Sequence, residues 1–102
     1  MKYVYPACFY REEDGRYSVE MPDFPLATFG DDLADAMYMA ADAAAGWIFS
    51  ALRDGDEIPR ASDISDIKPE EETGFVSLVF VDLAASNPSR EELPVLIQPL
   101  AQ

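Results

Sequence analysis

The run Arg16-Tyr17-Ser18-Val19-Glu20-Met21-Pro22-Asp23-Phe24-Pro25 decides how this chain folds. Tyr17, Val19 and Met21 alternate with Arg16, Ser18 and Glu20, the period of two that gives a strand one packed face and one face for solvent or a partner. The loop Pro22-Asp23-Phe24-Pro25 then stops the strand, because proline has no N–H to give a ladder. Just upstream, Arg11-Glu12-Glu13-Asp14-Gly15 supplies a turn, with Asp-Gly accommodating the positive φ angles of a tight hairpin. Before that turn, Tyr3-Val4-Tyr5-Pro6-Ala7-Cys8-Phe9-Tyr10 is apolar at both parities, the pattern of a strand packed on each face, with Pro6 marking an edge or a bulge. Downstream, Leu26-Ala27-Thr28-Phe29 is long enough for a third strand before Gly30. Three strands on short connections make a meander.

Outward from the meander, Asp31 and Asp32 stand where helix caps stand, since a short acidic side chain accepts the unpaired N–H groups of a first turn. Leu33, Met37, Ala40, Ala44, Trp47, Ile48, Ala51 and Leu52 recur at three- and four-residue spacing, which predicts a helix over 31–53 that ends at Asp54-Gly55. Gly46 in its middle costs about 1 kcal/mol relative to alanine, and its missing side chain leaves room for a neighbouring element. Between Asp54 and Glu72 lie eight acids and two bases, with Pro59 and Pro69 and no sustained apolar period. That segment reads as an irregular acidic connection, 54–74, running back across the domain. Phe75-Val76-Ser77-Leu78-Val79-Phe80-Val81 is almost continuously apolar and reads as a buried strand near the centre of the sheet.

A strand, a helix and a further strand imply a right-handed crossover. The predicted fold is α+β, in the order β-β-β-α-β: an antiparallel meander, a final strand parallel to the first, and one long helix on one face. The other face is then apolar and uncovered, which predicts a homo-oligomer unless the tail hides it. In that tail, Leu93-Pro94-Val95-Leu96-Ile97 reads as a short edge strand. The expected organisation is a domain over 1–83 and a C-terminal tail over 84–102 without a DNA-binding domain.

Composition limits what such a domain does. The 102 residues suffice for one domain and exclude a two-domain enzyme. Seven Lys plus Arg against twenty Asp plus Glu leave a formal charge of −13, and histidine is absent. Ser-His-Asp and Cys-His nucleophilic sites, imidazole bases and His-ligated zinc are therefore excluded. Direct binding to DNA or RNA is disfavoured, because phosphates are gripped by Lys and Arg. The lone Cys8 makes no internal disulfide and suits a reducing compartment. No leader and no apolar stretch of about 18 residues is present, so the chain reads as a complete cytosolic protein with no membrane association.

Little is left to carry chemistry. Glu20 and Asp82 are the acids attached to strands, and a shared Mg²⁺ between them is the strongest catalytic possibility, ahead of paired carboxylates for sugar cleavage, which need a deep cleft that so small a domain seldom has. No spaced acidic motif joins them, and both also read as ordinary solvent-facing or strand-end residues. Cys8 reads as a small core residue, and Trp47 as core rather than a ligand platform. Glu12-Glu13-Asp14 and Glu70-Glu71-Glu72 are solvated runs that gain meaning only beside a basic partner. No catalytic, cofactor or metal residue is expected.

The order of these features is more specific than any one of them. The opening Tyr3-Val4-Tyr5-Pro6-Ala7 strand, the Glu-Glu-Asp-Gly turn, Tyr17-Ser18-Val19-Glu20-Met21-Pro22-Asp23-Phe24-Pro25, Gly30-Asp31-Asp32-Leu33-Ala34-Asp35-Ala36 and Val79-Phe80-Val81-Asp82 resemble the HicB-like antitoxins of bacterial toxin–antitoxin pairs over residues 1–82. The resemblance implies a degenerate ribonuclease-H-like fold without nuclease activity, whose members bind a small basic ribonuclease toxin, HicA, and mask its active surface. Tyr17, Glu20, Pro22, Asp23 and Pro25 carry the family motif and are the implied partner-binding residues. Two departures bear on the transfer: Pro25-Leu26-Ala27-Thr28 replaces the Pro-Gly-Cys type of run, and the twenty residues after Asp82 contain one base, Arg90. Autorepression through DNA is therefore not implied. A stand-alone oligomeric domain that binds another protein or a small ligand is the alternative reading.

Overall fold

The computed structural model describes residues 1–84. Strands β1 (Lys2–Arg11), β2 (Tyr17–Met21), β3 (Leu26–Gly30) and β4 (Phe75–Asp82) form one sheet in the order β3-β2-β1-β4. The helix α1 (Leu33–Asp54) packs on one face, and a 3-10 turn at Ile64–Asp66 lies in the connection that follows it. The α+β class, the meander and the single-faced helix are those expected from the sequence. The predicted edge strand at 93–97 and the tail from residue 85 onward lie outside the described residues.

The helix begins and ends where its caps dictate. Asp32 accepts the backbone N–H of Asp35 at 2.8 Å, and Asp35 in turn accepts that of Asp31 at 2.9 Å, so one donor of the first turn and the donor just before the cap are satisfied. At the other end Gly55 takes φ of 74°, and Asp56 N–H donates to the Ala51 carbonyl at 2.8 Å. This is the left-handed termination that favours glycine. Ala36, Ala40, Ala44 and Ala45 are buried beside Ile48. These short side chains let the helix axis approach the sheet, where Tyr5, Ala7, Phe9, Val19, Met21, Val79 and Val81 meet it. At Gly30 the approach is closest: a Cβ there would collide with the backbone of Asp35 and Ala36, so β3 passes directly into the helix start only because position 30 has no side chain.

The last strand corrects two expectations. It runs antiparallel to β1, not parallel, with Lys2 opposite Asp82 and Phe9 opposite Phe75, and it lies at the edge of the sheet, not the centre. The cause is the route of the connection. A helix returning alongside β3 would deliver a parallel strand, but residues 55–74 first travel back along the sheet, so β4 enters from the opposite end. The route is marked by hydrogen bonds. Tyr5 Oη donates to the Pro59 carbonyl at 2.7 Å on the helix side, Ser62 donates through its N–H and its hydroxyl to Asp23, and Glu70 N–H donates to Tyr10 Oη at 3.0 Å on the outer side. The chain thus passes round the β2–β3 turn and climbs the outer face.

The same pairing explains Pro6. Cys8 pairs with Glu20, and β2 ends at Met21, so Pro6 lies past the end of β2 and is flanked by β4 alone. Its missing N–H removes no bond from the β1–β2 ladder. β1 is flanked by a strand on each side at Cys8 and Phe9, and by β4 alone from Lys2 to Ala7.

Candidate functional site

The Pro22-Asp23-Phe24-Pro25 turn is built from opposed requirements. Phe24 is 4% exposed and packs edge-on against Tyr5 at 4.5 Å and Trp47 at 5.3 Å, which pins the turn to the core. With Phe24 directed inward, Pro22 and Pro25 on either side are exposed. Asp23 is half-buried and accepts both bonds from Ser62. The five motif residues therefore separate. Pro22, Pro25 and Glu20 are exposed; Asp23 fastens the connection; Tyr17 stacks edge-on with Phe75 at 6.4 Å, on the helix side of the sheet. Trp47, read as core from its spacing, is half-buried in the same aromatic cluster.

Glu20 and Pro22 share an open groove of about 360 Å³ with Cys8, Tyr10, Asp66, Ile67, Lys68 and Glu70. Its walls are the outer face of β1 and β2 and the climbing connection. Three carboxylates against one ammonium make it acidic. A second acidic concavity forms at the β1–β2 hairpin from Glu12, Glu13, Asp14, Arg16, Ser18 and Phe29. Here Ser18 Oγ donates to Glu12 at 2.8 Å, and the Arg16 guanidinium lies 5.2 Å from the centre of the Phe29 ring. Phe29 itself is 57% exposed. The backbone N–H of Arg16, aided by its guanidinium, lowers the pKa of Asp14. Both concavities present carboxylates beside apolar or aromatic surface.

None of this arrangement activates a nucleophile. Burial pushes the Cys8 thiol above its ordinary pKa, opposed only by a hydrogen bond with Tyr10, and the carboxylates of Glu20 and Glu70 push it further the same way. A protonated thiol is a poor nucleophile. Burial likewise raises the phenols of Tyr5 and Tyr10. Glu20 and Asp82 sit on different strands, opposite Cys8 and Lys2, six residues or about 20 Å apart along β1, too far for one metal ion. Among the described residues no three carboxylates or thiols converge on a metal position. What the face offers is acidic and apolar contact.

The apolar part lies beyond the groove. The connection covers Cys8 and Tyr10, which are 5% and 6% exposed, but Val4, Leu78 and Phe80 remain 43%, 50% and 57% exposed on the same side of the sheet. Val4 pairs with Phe80 and Pro6 with Leu78, so the exposed side chains form one strip along β4. Two-sided apolarity predicts a central β4; its second face is instead exposed among the described residues.

A family model described as the HicB-like antitoxin of bacterial toxin–antitoxin systems matches residues 5–98. A 14.9 kDa protein from the rep-hol intergenic region of Haemophilus phage HP1 is 32% identical over 100 residues, covering 95% of this chain and 74% of the phage protein. Among solved structures, a toxin–antitoxin complex from Streptococcus pneumoniae contains a chain that superposes with a TM-score of 0.74 at 26% identity, covering 82% of this chain and 71% of that one. The N-terminal domain of the Burkholderia pseudomallei antitoxin HicB superposes with a TM-score of 0.69 at 25% identity, covering 79% of this chain and 100% of that one.

Proposed function

The chain belongs to the HicB-like antitoxin family of bacterial toxin–antitoxin systems, and on that premise we propose that it binds and neutralises a small basic ribonuclease toxin of the HicA type. The observation that carries this reading is the outer face, where carboxylates of the hairpin and of the connection border apolar sheet surface. A basic partner is drawn in by the acids, and burial of apolar surface then holds it. The charge of −13 sets encounter rate and partner choice, and the toxin is shut off by being covered, not modified.

In this reading the protein is no enzyme and holds no cofactor. It works in the cytoplasm as a homo-oligomer and makes no direct contact with nucleic acid. The domain over 1–83 is a degenerate ribonuclease-H-like unit, and the tail over 84–102 carries no DNA-binding function. Glu20, Pro22 and Pro25 touch the toxin directly. Tyr17 and Asp23 contribute by holding the face in place, because their side chains are engaged within the fold. No helix among the described residues is long and apolar enough to cross a membrane.

The test is co-expression with a small basic ribonuclease toxin of the HicA type, sought first in the adjacent reading frame. Growth arrest by that protein alone, relieved by this chain with recovery of a stable complex, is the expected result. Unrelieved arrest with no complex would overturn the reading in favour of a stand-alone oligomer.

A further inference from the structure

The free backbone groups of the β3 edge follow from the register. Glu12 N–H donates to the Arg16 carbonyl, so Arg16 and, by the alternation of an antiparallel ladder, Ser18 and Glu20 turn their backbone groups toward β1. Tyr17, Val19 and Met21 therefore face β3, where they pair with Gly30, Thr28 and Leu26. The residues between, Ala27 and Phe29, point their N–H and C=O groups away from the sheet, and no strand among the described residues pairs with them there. This open stretch is bounded at both ends. Pro25 has no N–H to offer, and the Asp31 N–H is already given to the Asp35 carboxylate at 2.9 Å. Ala27 and Phe29 are both exposed.

The side chains beside this edge sort by face. On the outer face Phe29 pairs with Ser18, whose hydroxyl donates to Glu12, and Ala27 pairs with Glu20. Ala27 is short, so a long side chain lying next to it reaches Glu20 across two strand spacings, about 10 Å. The Phe29 ring already carries the Arg16 guanidinium at 5.2 Å, which shows that a planar cation fits there. On the helix face Leu26, Ala43, Gly46 and Trp47 line a largely apolar groove of about 500 Å³, and a Cβ at Gly46 would meet nothing within 4 Å. A strand laid along β3 presents its residues alternately to these two faces.

The charge around the edge selects the occupant. Glu12, Glu13 and Asp14 lie at the hairpin, Asp31 and Asp32 follow β3 directly, and Asp54 and Asp56 stand at the groove. The bases among them, Arg16 and Arg53, are each paired with a neighbouring aspartate. A second copy of this chain would bring the same acids against them, whereas a basic strand is attracted. We propose that the toxin adds a strand to the outer edge of β3, with basic residues on one face, beside Phe29 and Ala27, and apolar residues on the other, toward the groove at Leu26. Main-chain hydrogen bonds to Ala27 and Phe29 hold the strand, and the two faces read its alternation. The inference rests on the neutralisation proposed above and names where the toxin attaches, since this edge is continuous with the exposed Glu20, Pro22 and Pro25.

Residue-resolved hydrogen exchange on the full chain, alone and with a purified ribonuclease of the HicA type, tests it. In the free chain the amides of Ala27 and Phe29 exchange fast, while that of Thr28, turned toward Val19, is slow. The toxin is expected to slow Ala27 and Phe29 by roughly 10-fold or more, with Thr28 protected in both states. Ala27→Pro removes one open N–H without touching the β2 ladder and is expected to weaken the complex by roughly 10-fold or more. Circular dichroism checks that this variant folds, and the exchange of the wild type decides the matter if it does not. A stable complex in which both amides exchange as in the free chain overturns this surface and leaves neutralisation standing, and so does a folded Ala27→Pro that binds as tightly as the wild type. Absence of any complex overturns neutralisation and the surface with it. Slowing of the two amides that grows with the concentration of the chain alone identifies a second copy as the occupant, and also overturns it.

Discussion

On the helix side of the sheet Phe9, Val19 and Val81 are fully buried, whereas on the outer side Val4, Leu78 and Phe80 in the same or paired strands stand 43–57% exposed. The difference lies in what closes each face. The helix side is shut by a regular element whose apolar stripe runs along its whole length, with small side chains that let it lie close. The outer side is shut by twenty irregular residues that hold on through a few side-chain hydrogen bonds, at Asp23 and Tyr10, and leave the rest open. Stability resides in the first face, and the second keeps apolar side chains exposed.

The contrast is broken most readily by a paired truncation. Phe9→Ala empties a fully buried site and is expected to lower the stability to urea by about 3–5 kcal/mol, whereas Leu78→Ala changes it by less than about 0.5 kcal/mol at monomer concentrations. Equal losses would mean that the outer face is closed after all. Asp23→Ala removes the carboxylate that receives both Ser62 bonds, at a cost of about 1.5–3 kcal/mol, the range for hydrogen bonds to a charged group. Amides of residues 62–70 should then exchange faster while those of α1 stay protected. Uniform acceleration would show that the connection and the core unfold together.

The smallest effect is on pH. Cys8 and Tyr10, both under the connection, and Tyr5 on the helix side have pKa values raised in the folded state. A group that binds its proton more tightly when folded contributes stability below its unfolded pKa and loses it as pH rises through the folded one. Stability should therefore be flat through neutrality and decline once pH passes about 8.5 for Cys8 and about 10 for the tyrosines. Cys8→Ala should flatten the first part of that decline. A decline unaltered by that substitution would place the thiol in contact with solvent in the native state.

Much of the helix side was legible in the residues themselves. The alternation of Tyr17, Val19 and Met21 placed β2, and the stripe from Leu33 to Leu52 placed α1 within two residues at its start and one at its end. These signals are periods, and a period is a local property of the chain. The direction of β4 is not local. It depends on which end of the sheet receives a twenty-residue segment without any period, and the bonds that decide this join Tyr5 to Pro59, Asp23 to Ser62 and Tyr10 to Glu70 across 39 to 60 residues. Apolarity at both parities likewise has two meanings: in β1 from Tyr5 to Tyr10 it marks a strand covered on both faces, and in β4 a strand with one exposed face. The candidate site divides in the same manner. The motif named Tyr17, Glu20, Pro22, Asp23 and Pro25 together, and the exposure of Glu20, Pro22 and Pro25, the engagement of Asp23, the burial of Phe24 and the hairpin concavity around Phe29 required the fold.

The central claim, neutralisation by binding, is tested most directly by titrating the purified chain into an RNA-cleavage reaction run by a small basic ribonuclease of the HicA type sought in the adjacent reading frame. The account predicts that cleavage falls to background when the chain matches the toxin in concentration, and that Glu20→Lys shifts this endpoint to a higher concentration while the helix-side fold stays intact. Cleavage that continues undiminished with the wild-type chain in excess would contradict it.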